Sequence, residues 1–220
     1  MTKFNPEDVV EVIFQIAQSI KHKGLMLNER YLHHYFSHLL QARWNLLNLT
    51  EVDQKTKLHP EWPTYKKQTR LLYGRYKKEN EKYQPDPTGT AGFVDFAVGN
   101  YEKPETGIEF SLKYGWSNEE IVYDFLKLLD RKNPFKTSVS LNLIFRQELL
   151  VNGGRLIDLE KHMNKALEEA VRRLGANVCE EKRKLHLIVS EIAKDNSRRH
   201  WVCNKIEREF ERALMEELRI

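Results

Sequence analysis

The chain has 220 residues, is 40% hydrophobic and 31% charged, and carries a formal net charge of +4. Its mean hydropathy is −0.64, and no apolar run approaches the roughly 20 residues that a helix needs to span a bilayer. One domain of ordinary size, residues 1–220, accommodates this length.

The first stretch, "NPEDVVEVIFQIAQSIKHKG", reads as a helix. Asn5 is placed to cap it, Pro6 suits its first position and Gly24 its end. Val9, Val10, Ile13, Ile16, Ala17 and Ile20 make its apolar stripe. A second helix is predicted from about Asn28 to Asn48, with Leu32, Tyr35, Phe36, Leu39, Leu40, Trp44 and Leu47 on one side. Residues 1–60 thus form a helical N-terminal part. "LHPEWPTY" (Leu58 to Tyr65) reads as a proline-punctuated loop.

Between Lys66 and Lys82 there are seven Lys/Arg against Glu79 and Glu81, more positive charge than the whole chain carries net. The basic character is therefore a patch. Lys66, Lys67, Arg70, Arg75, Lys77 and Lys78 alternate with Tyr73 and Tyr76, a mixture suited to phosphate contacts and base stacking without base readout. A solvated charged face is the plainer reading of such a run. The periodicity here is weakly helical.

Two alternating runs follow, Phe93–Val98 and Gly107–Tyr114, and both read as strands. "SNEE" (117–120) is a capping box opening a helix on Ile121, Val122, Phe125, Leu128 and Leu129. "TSVSLNLIFR" is a third strand, about Asp158–Leu174 a long helix, and "KLHLIVSEI" a fourth strand. The last segment, from Asn196, reads as a charged amphipathic helix, with Arg198, Arg199, His200 and Trp201 either extending the basic surface or ending that helix. The order implies an α/β (α+β) domain around a central mixed sheet.

In the hairpin, Val94, Phe96 and Val98 share one face with Ile108, Phe110 and Leu112, which leaves Asp95, Glu109, Ser111 and Lys113 on the other. A turn centred near Glu102 sets Asp95 opposite Glu109, with Cβ atoms about 4.5–5.5 Å apart. Like charges placed so are destabilising unless something compensates. A hard divalent cation between them is the simplest compensation, and a nearby lysine would stabilise developing charge or help position a water.

An acid on one strand, an acid and a lysine on the next, then a helix and another strand: over residues 92–146 this resembles the PD-(D/E)XK nuclease superfamily. The resemblance implies a restriction-endonuclease-like fold and phosphodiester hydrolysis of DNA or RNA with Mg²⁺ or Mn²⁺. Asp95 and Glu109 would hold the metal and Lys113 would serve catalysis, with Ser111 lining the site. Glu109 and Lys113 are four residues apart, where the motif has two, and Val94 stands in place of its proline. In the other alignment Ser111 takes the acid position, and Glu109, Glu29 or Glu120 supplies the missing carboxylate. The runner-up function is a catalytically degenerate member of the fold, acting as a nucleic-acid-binding or assembly subunit. A third reading is an interaction protein whose helices pair two copies into a homodimer.

Glu29 at a helix start reads first as a complement to the dipole and second as a metal ligand packed against the hairpin. His34 and His38 have zinc-compatible spacing but no third ligand at motif distance, so His33, His34 and His38 are assigned to a polar face. Lys127 and Arg131 are expected to pair with Asp124 and Asp130 along their own helix. Gln147, just past the third strand, is within reach of a substrate in this reading. No Walker loop, nucleophilic triad, dinucleotide fingerprint or Cys/His zinc cluster is present. The opening "MTKFNPEDVVEVIF" lacks the pattern of a signal peptide. A cytoplasmic protein with Cys179 and Cys203 reduced is the expectation.

Overall fold

Asn5 and Asn28 begin the two N-terminal helices as their residue type demands. In the computed structural model, which describes residues 5–21, 28–47, 58–66, 71–72, 74–113, 118–146, 154–178 and 184–203, helix α1 spans Pro6–Ser19 and α2 spans Glu29–Leu46. The Asn5 side chain accepts the Glu7 N–H at 3.2 Å and Asn28 accepts the Tyr31 N–H at 2.9 Å, satisfying donors that a helix start leaves open. Val9, Val12, Ile13, Ile16 and Ala17 of α1 and Leu32, Phe36, Leu40 and Trp44 of α2 are buried. Arg43 of α2 bridges to Asp8 (3.1 Å) and Glu11 (2.7 Å), which joins the two helices on their outer side.

Among the described residues eleven strands follow, with two further long helices: β1 (Leu58–Pro63), β2 (Tyr65–Lys66), β3 (Leu71–Leu72), β4 (Arg75–Glu79), β5 (Lys82–Pro85), β6 (Thr90–Ala91), β7 (Phe93–Gly99), β8 (Pro104–Lys113), α3 (Asn118–Leu129), β9 (Thr137–Arg146), α4 (Gly154–Leu174), β10 (Lys184–Ala193) and β11 (Arg198–Cys203). A six-stranded mixed sheet has the order β1-β7-β8-β9-β10-β11. The β1/β7, β7/β8 and β10/β11 pairs are antiparallel, while β8/β9 and β9/β10 are parallel. Each parallel step needs a crossover, and α3 and α4 supply them. The chain is therefore a mixed α/β protein with helices on both faces of its sheet.

The two faces have distinct cores. Under α1 and α2 lie Phe96, Val98, Ile108, Phe110, Val139, Leu141, Leu143, Phe145, Ile188 and Ile192. Under α3 and α4 lie Trp62, Val94, Ala97, Ile144, Leu185, Leu187 and Val189. The central strands β9 and β10 are buried along almost their whole length, as strands covered on both faces must be.

Three segments differ from the sequence reading. Residues 58–63 are a strand rather than a loop. Pro60 and Pro63 are tolerated because β1 is the sheet edge, and buried Trp62 anchors it by donating its indole N–H to the Tyr101 carbonyl at 2.8 Å. The basic stretch forms β2–β5 rather than a helix, because cross-strand pairing outweighs a weak periodicity. Residues 198–203 are strand β11 and not the start of a helix, since β10 offers them an open edge. The proposed helix cap at Ser117, the helix end at Gly24 and the last seventeen residues lie outside the described residues.

Arg198, read as either an extension of the basic surface or a helix terminus, is buried in β11 and donates to the carbonyls of Ala17 (3.3 Å) and Gln18 at the C-terminal end of α1. The last turn of α1 has no basic residue of its own, so a guanidinium from β11 complements the helix dipole there.

Gly107 sits in β8 opposite Ala97, and a Cβ built on it would lie 2.7 Å from the Phe135 ring. Phe135 is a buried ring packed on Trp62, with centroids 5.5 Å apart. Gly107→Ala is therefore expected to destabilise the fold by about 1–3 kcal/mol, the usual cost of overpacking. A urea melt checks this, and an unchanged midpoint would mean that Phe135 can move aside.

Candidate functional site

The predicted hairpin register is the observed one: Phe96 pairs with Ile108, Ala97 with Gly107 and Val98 with Thr106. Pairing ends at Phe96, one residue short of Asp95. There the Asp95 Oδ2 accepts the Phe110 N–H at 2.6 Å, so a side chain takes the donor that a further ladder carbonyl would otherwise engage. On the other side of β7, Glu61 of β1 falls between the pairs Pro60/Phe96 and Trp62/Val94 and has φ +48°. The sheet is thus irregular on both sides of Asp95, and Val94 belongs to the core under α3 and α4, not to the core of Phe96 and Val98.

The consequence is a correction. Asp95 does not face the same partner as Glu109. Its Oδ2 lies 3.6 Å from His33 Nε2 on α2. Glu29 and His33 are four residues apart in the first turns of α2 and so share one side of it. One ligand atom each from Glu29, His33 and Asp95 lies within 4.8 Å of the others. The imidazole is held edge-on against Phe96 (centroids 5.1 Å) and packed on Phe110 (5.8 Å). Its Nε2 is buried without a hydrogen-bond partner. Burial works to lower the His33 pKa, but the Asp95 interaction and the charges of Glu29 and Glu61 outweigh it and raise the value above 6.5. Negative potential at this point is therefore contributed by α2, β1 and β7 together.

Glu109 lies on the opposite face, 3% exposed. Its Oε1 is 2.5 Å from the Lys127 Nζ of α3. Lys127 also contacts Asp124 Oδ1 at 3.2 Å, donates to the Phe93 carbonyl at 2.9 Å and stands 4.8 Å over the Tyr123 ring. Burial acts to lower the Lys127 pKa, but Glu109 and Asp124 reverse it and hold the ammonium protonated. Burial raises the Glu109 pKa well above the usual carboxylate range; Lys127 opposes this, while Asp124 and Asp95 reinforce it. Burial also pushes the Tyr123 hydroxyl up to about 12. The cluster holds more acids than ammonium groups.

The other predicted residues separate in the fold. Ser111 follows Glu109 on the α3 side and is buried, with its Oγ lacking a hydrogen-bond partner. Lys113 ends β8, its backbone paired with Ile144. Of the proposed nucleic-acid contacts, Lys67, Arg70 and Tyr73 lie outside the described residues, and Lys66 is described by its strand pairing alone.

Tyr76 is a correction: it is 2% exposed, with its hydroxyl directed at the Leu126 carbonyl and Asp130, so it is a core residue and no stacking platform. Arg75 is half-buried and donates to the Gly89 carbonyl at 2.8 Å, clamping the turn before β6. Lys77 and Lys78 are exposed, paired with Glu79 (2.6 Å) and Glu81 (2.7 Å). Within β4 Tyr76 is buried while Lys77, Lys78 and Glu79 are all exposed. Gln147 lies outside the described residues.

Two residues of the site escaped the sequence reading. His33 was placed on a polar face, although its i, i+4 relation to Glu29 was visible. Lys127 was matched with Asp124, which is correct, but its contact with Glu109 joins residues distant in sequence. No helix among the described residues is long and apolar enough to cross a membrane. Comparison with protein-family models, curated proteins and solved structures returns no match for this chain.

Proposed function

We propose that the chain is a metal-dependent phosphodiester hydrolase of restriction-endonuclease-like architecture, acting on DNA or RNA. The observation that carries the reading is a coincidence of connectivity and chemistry. After α2 come the edge strand β1, the short strands β2–β6 and the antiparallel hairpin β7/β8, and α3 then crosses to the parallel strand β9. Asp95 lies on the first strand of that hairpin, and a carboxylate from α2, Glu29, comes to it. Strand, strand, helix and strand, with the first acid on the first of them, is the order the family resemblance implies.

The donor set fits a divalent cation. Asp95 uses Oδ2 for one backbone N–H and still offers lone pairs, while Glu29 adds a second carboxylate. When bound, Mg²⁺ or Mn²⁺ would supply a Lewis acid and a water of lowered pKa. Glu109 is engaged by Lys127 and is not the second ligand in this reading. It holds Lys127 against the Phe93 carbonyl, two residues from Asp95, where it fixes the strand end that presents the ligand. Ser111 stands two residues after Glu109, where the motif's acid-x-lysine spacing places the lysine, so Lys127 is the ammonium nearest that acid in space. Lys77 and Lys78 are exposed and would exchange Glu79 and Glu81 for phosphate contacts that salt would weaken.

The test is incubation of the purified chain with single- and double-stranded DNA and RNA in Mg²⁺ or Mn²⁺, beside Asp95→Asn. Cleavage that is lost in the variant is the expected result, and cleavage that survives the substitution refutes the assignment. One observation favours the second reading, a non-catalytic nucleic-acid-binding subunit: Glu109 spends its charge on Lys127 and Ser111 has no charge to offer. That reading predicts binding at low salt with no cleavage by the wild type.

A further inference from the structure

The donors around Asp95 are not those of a typical magnesium site. Magnesium takes oxygen ligands and keeps several waters, whereas imidazole suits first-row transition ions. His33 Nε2 is a buried nitrogen with no hydrogen-bond partner, aimed at a carboxylate oxygen 3.6 Å away. That distance is too long for a hydrogen bond. It is close to the separation of two donors on one ion: metal–ligand bonds of about 2.0–2.2 Å set neighbouring donors roughly 3–3.6 Å apart.

Phe96 and Phe110 hold the ring in place, so the nitrogen is preorganised. Glu29 approaches from one turn away on the same helix, and all three ligand atoms lie within 4.8 Å. Three protein ligands leave positions open for water or a substrate oxygen, as in catalytic sites.

From this we infer that Glu29, His33 and Asp95 form one mixed carboxylate–imidazole site for a transition dication, Mn²⁺, Co²⁺ or Zn²⁺, in preference to Mg²⁺. The inference deepens the phosphodiesterase reading and rests on it for the purpose of the ion, but the site itself stands or falls separately. His33 ligates through Nε2, and Asp95 bridges between the ion and the Phe110 N–H.

The experiment titrates MnCl₂, CoCl₂, ZnCl₂ and MgCl₂ separately into the full chain by calorimetry, with His33→Ala, His33→Gln and, as control, the exposed neighbour His34→Ala. Pulsed electron paramagnetic resonance on the Mn²⁺-loaded wild type reads ¹⁴N coupling directly, so the test does not depend on a variant that folds. Expected are one ion per chain, at least a tenfold weaker affinity for Mg²⁺ than for Mn²⁺, at least a tenfold loss in both His33 variants, none in His34→Ala, and ¹⁴N coupling.

Absence of nitrogen coupling overturns the proposal. So does equal affinity in a folded His33→Ala, or Mg²⁺ binding as tight as Mn²⁺. Cleavage with Mg²⁺ that is indifferent to His33 would remove this site and leave the hydrolase; a His33-dependent ion without any cleavage would do the reverse.

Discussion

Lys127→Met is expected to lower the stability of the fold by about 3–5 kcal/mol near pH 8, the usual cost of removing one partner from a buried ion pair. Methionine keeps the length of the stem, so lost packing is a minor part. What is left is Glu109, 3% exposed and deprived of its 2.5 Å cation, together with Asp124 and a Phe93 carbonyl that has lost its donor.

The sign of the pH dependence follows. Burial already raises the Glu109 pKa, and removing the ammonium raises it further. A carboxyl whose folded pKa exceeds its unfolded value of about 4.3 contributes stability at pH below that value. The contribution is lost as pH rises toward the folded pKa. The variant should therefore be least impaired near pH 5 and most impaired near pH 8, as read by urea melts at the two values. Adding Glu109→Gln should recover a large part of the loss at pH 8, because the uncompensated charge disappears. A cost below about 1 kcal/mol, typical of an exposed pair, would mean that water reaches the cluster.

Asp95→Asn should abolish metal-dependent cleavage while leaving the fold nearly intact. The amide oxygen can still accept the Phe110 N–H, so the backbone contact survives and the stability change should stay within about 1 kcal/mol. The charge does not survive. A bound metal contributes several kcal/mol of transition-state stabilisation, so a weakened site should cost on the order of 10²–10³ in rate. Asp95→Ala separates the two roles, because it removes the acceptor as well and should show the same loss of rate with an added loss of stability. Equal rates for wild type and Asp95→Asn would take Asp95 out of the chemistry and favour the binding-subunit reading.

Residues close in sequence carried much of this architecture openly. Asn5 and Asn28 announced their helices by side-chain chemistry alone, and the periodicity of α3, β9 and β10 located those elements to within a few residues. The hairpin register also followed from the sequence, because alternation and turn position suffice to pair Phe96 with Ile108. Residues 58–63 and 198–203 were misread for a shared reason. A strand exists only if a neighbouring edge accepts its backbone, and that edge, β7 or β10, lies elsewhere in the chain.

The site divides in the same way. That the two hairpin strands carry acids at 95 and 109 was legible; which group each carboxylate meets was not. The irregular ladder at Glu61 and Phe96 lets Asp95 reach α2, while alternation keeps Glu109 under α3. Glu29 and His33 share a helix side by their spacing, yet only the docking of α2 against β7 and β8 brings them to Asp95. Lys127 had Asp124 as a local partner, but burial makes the distant Glu109 the closer contact. A pattern of residues determines which side of an element is buried. Which charges meet depends on how the elements pack, because the energy of a buried charge is set by the groups that replace its water.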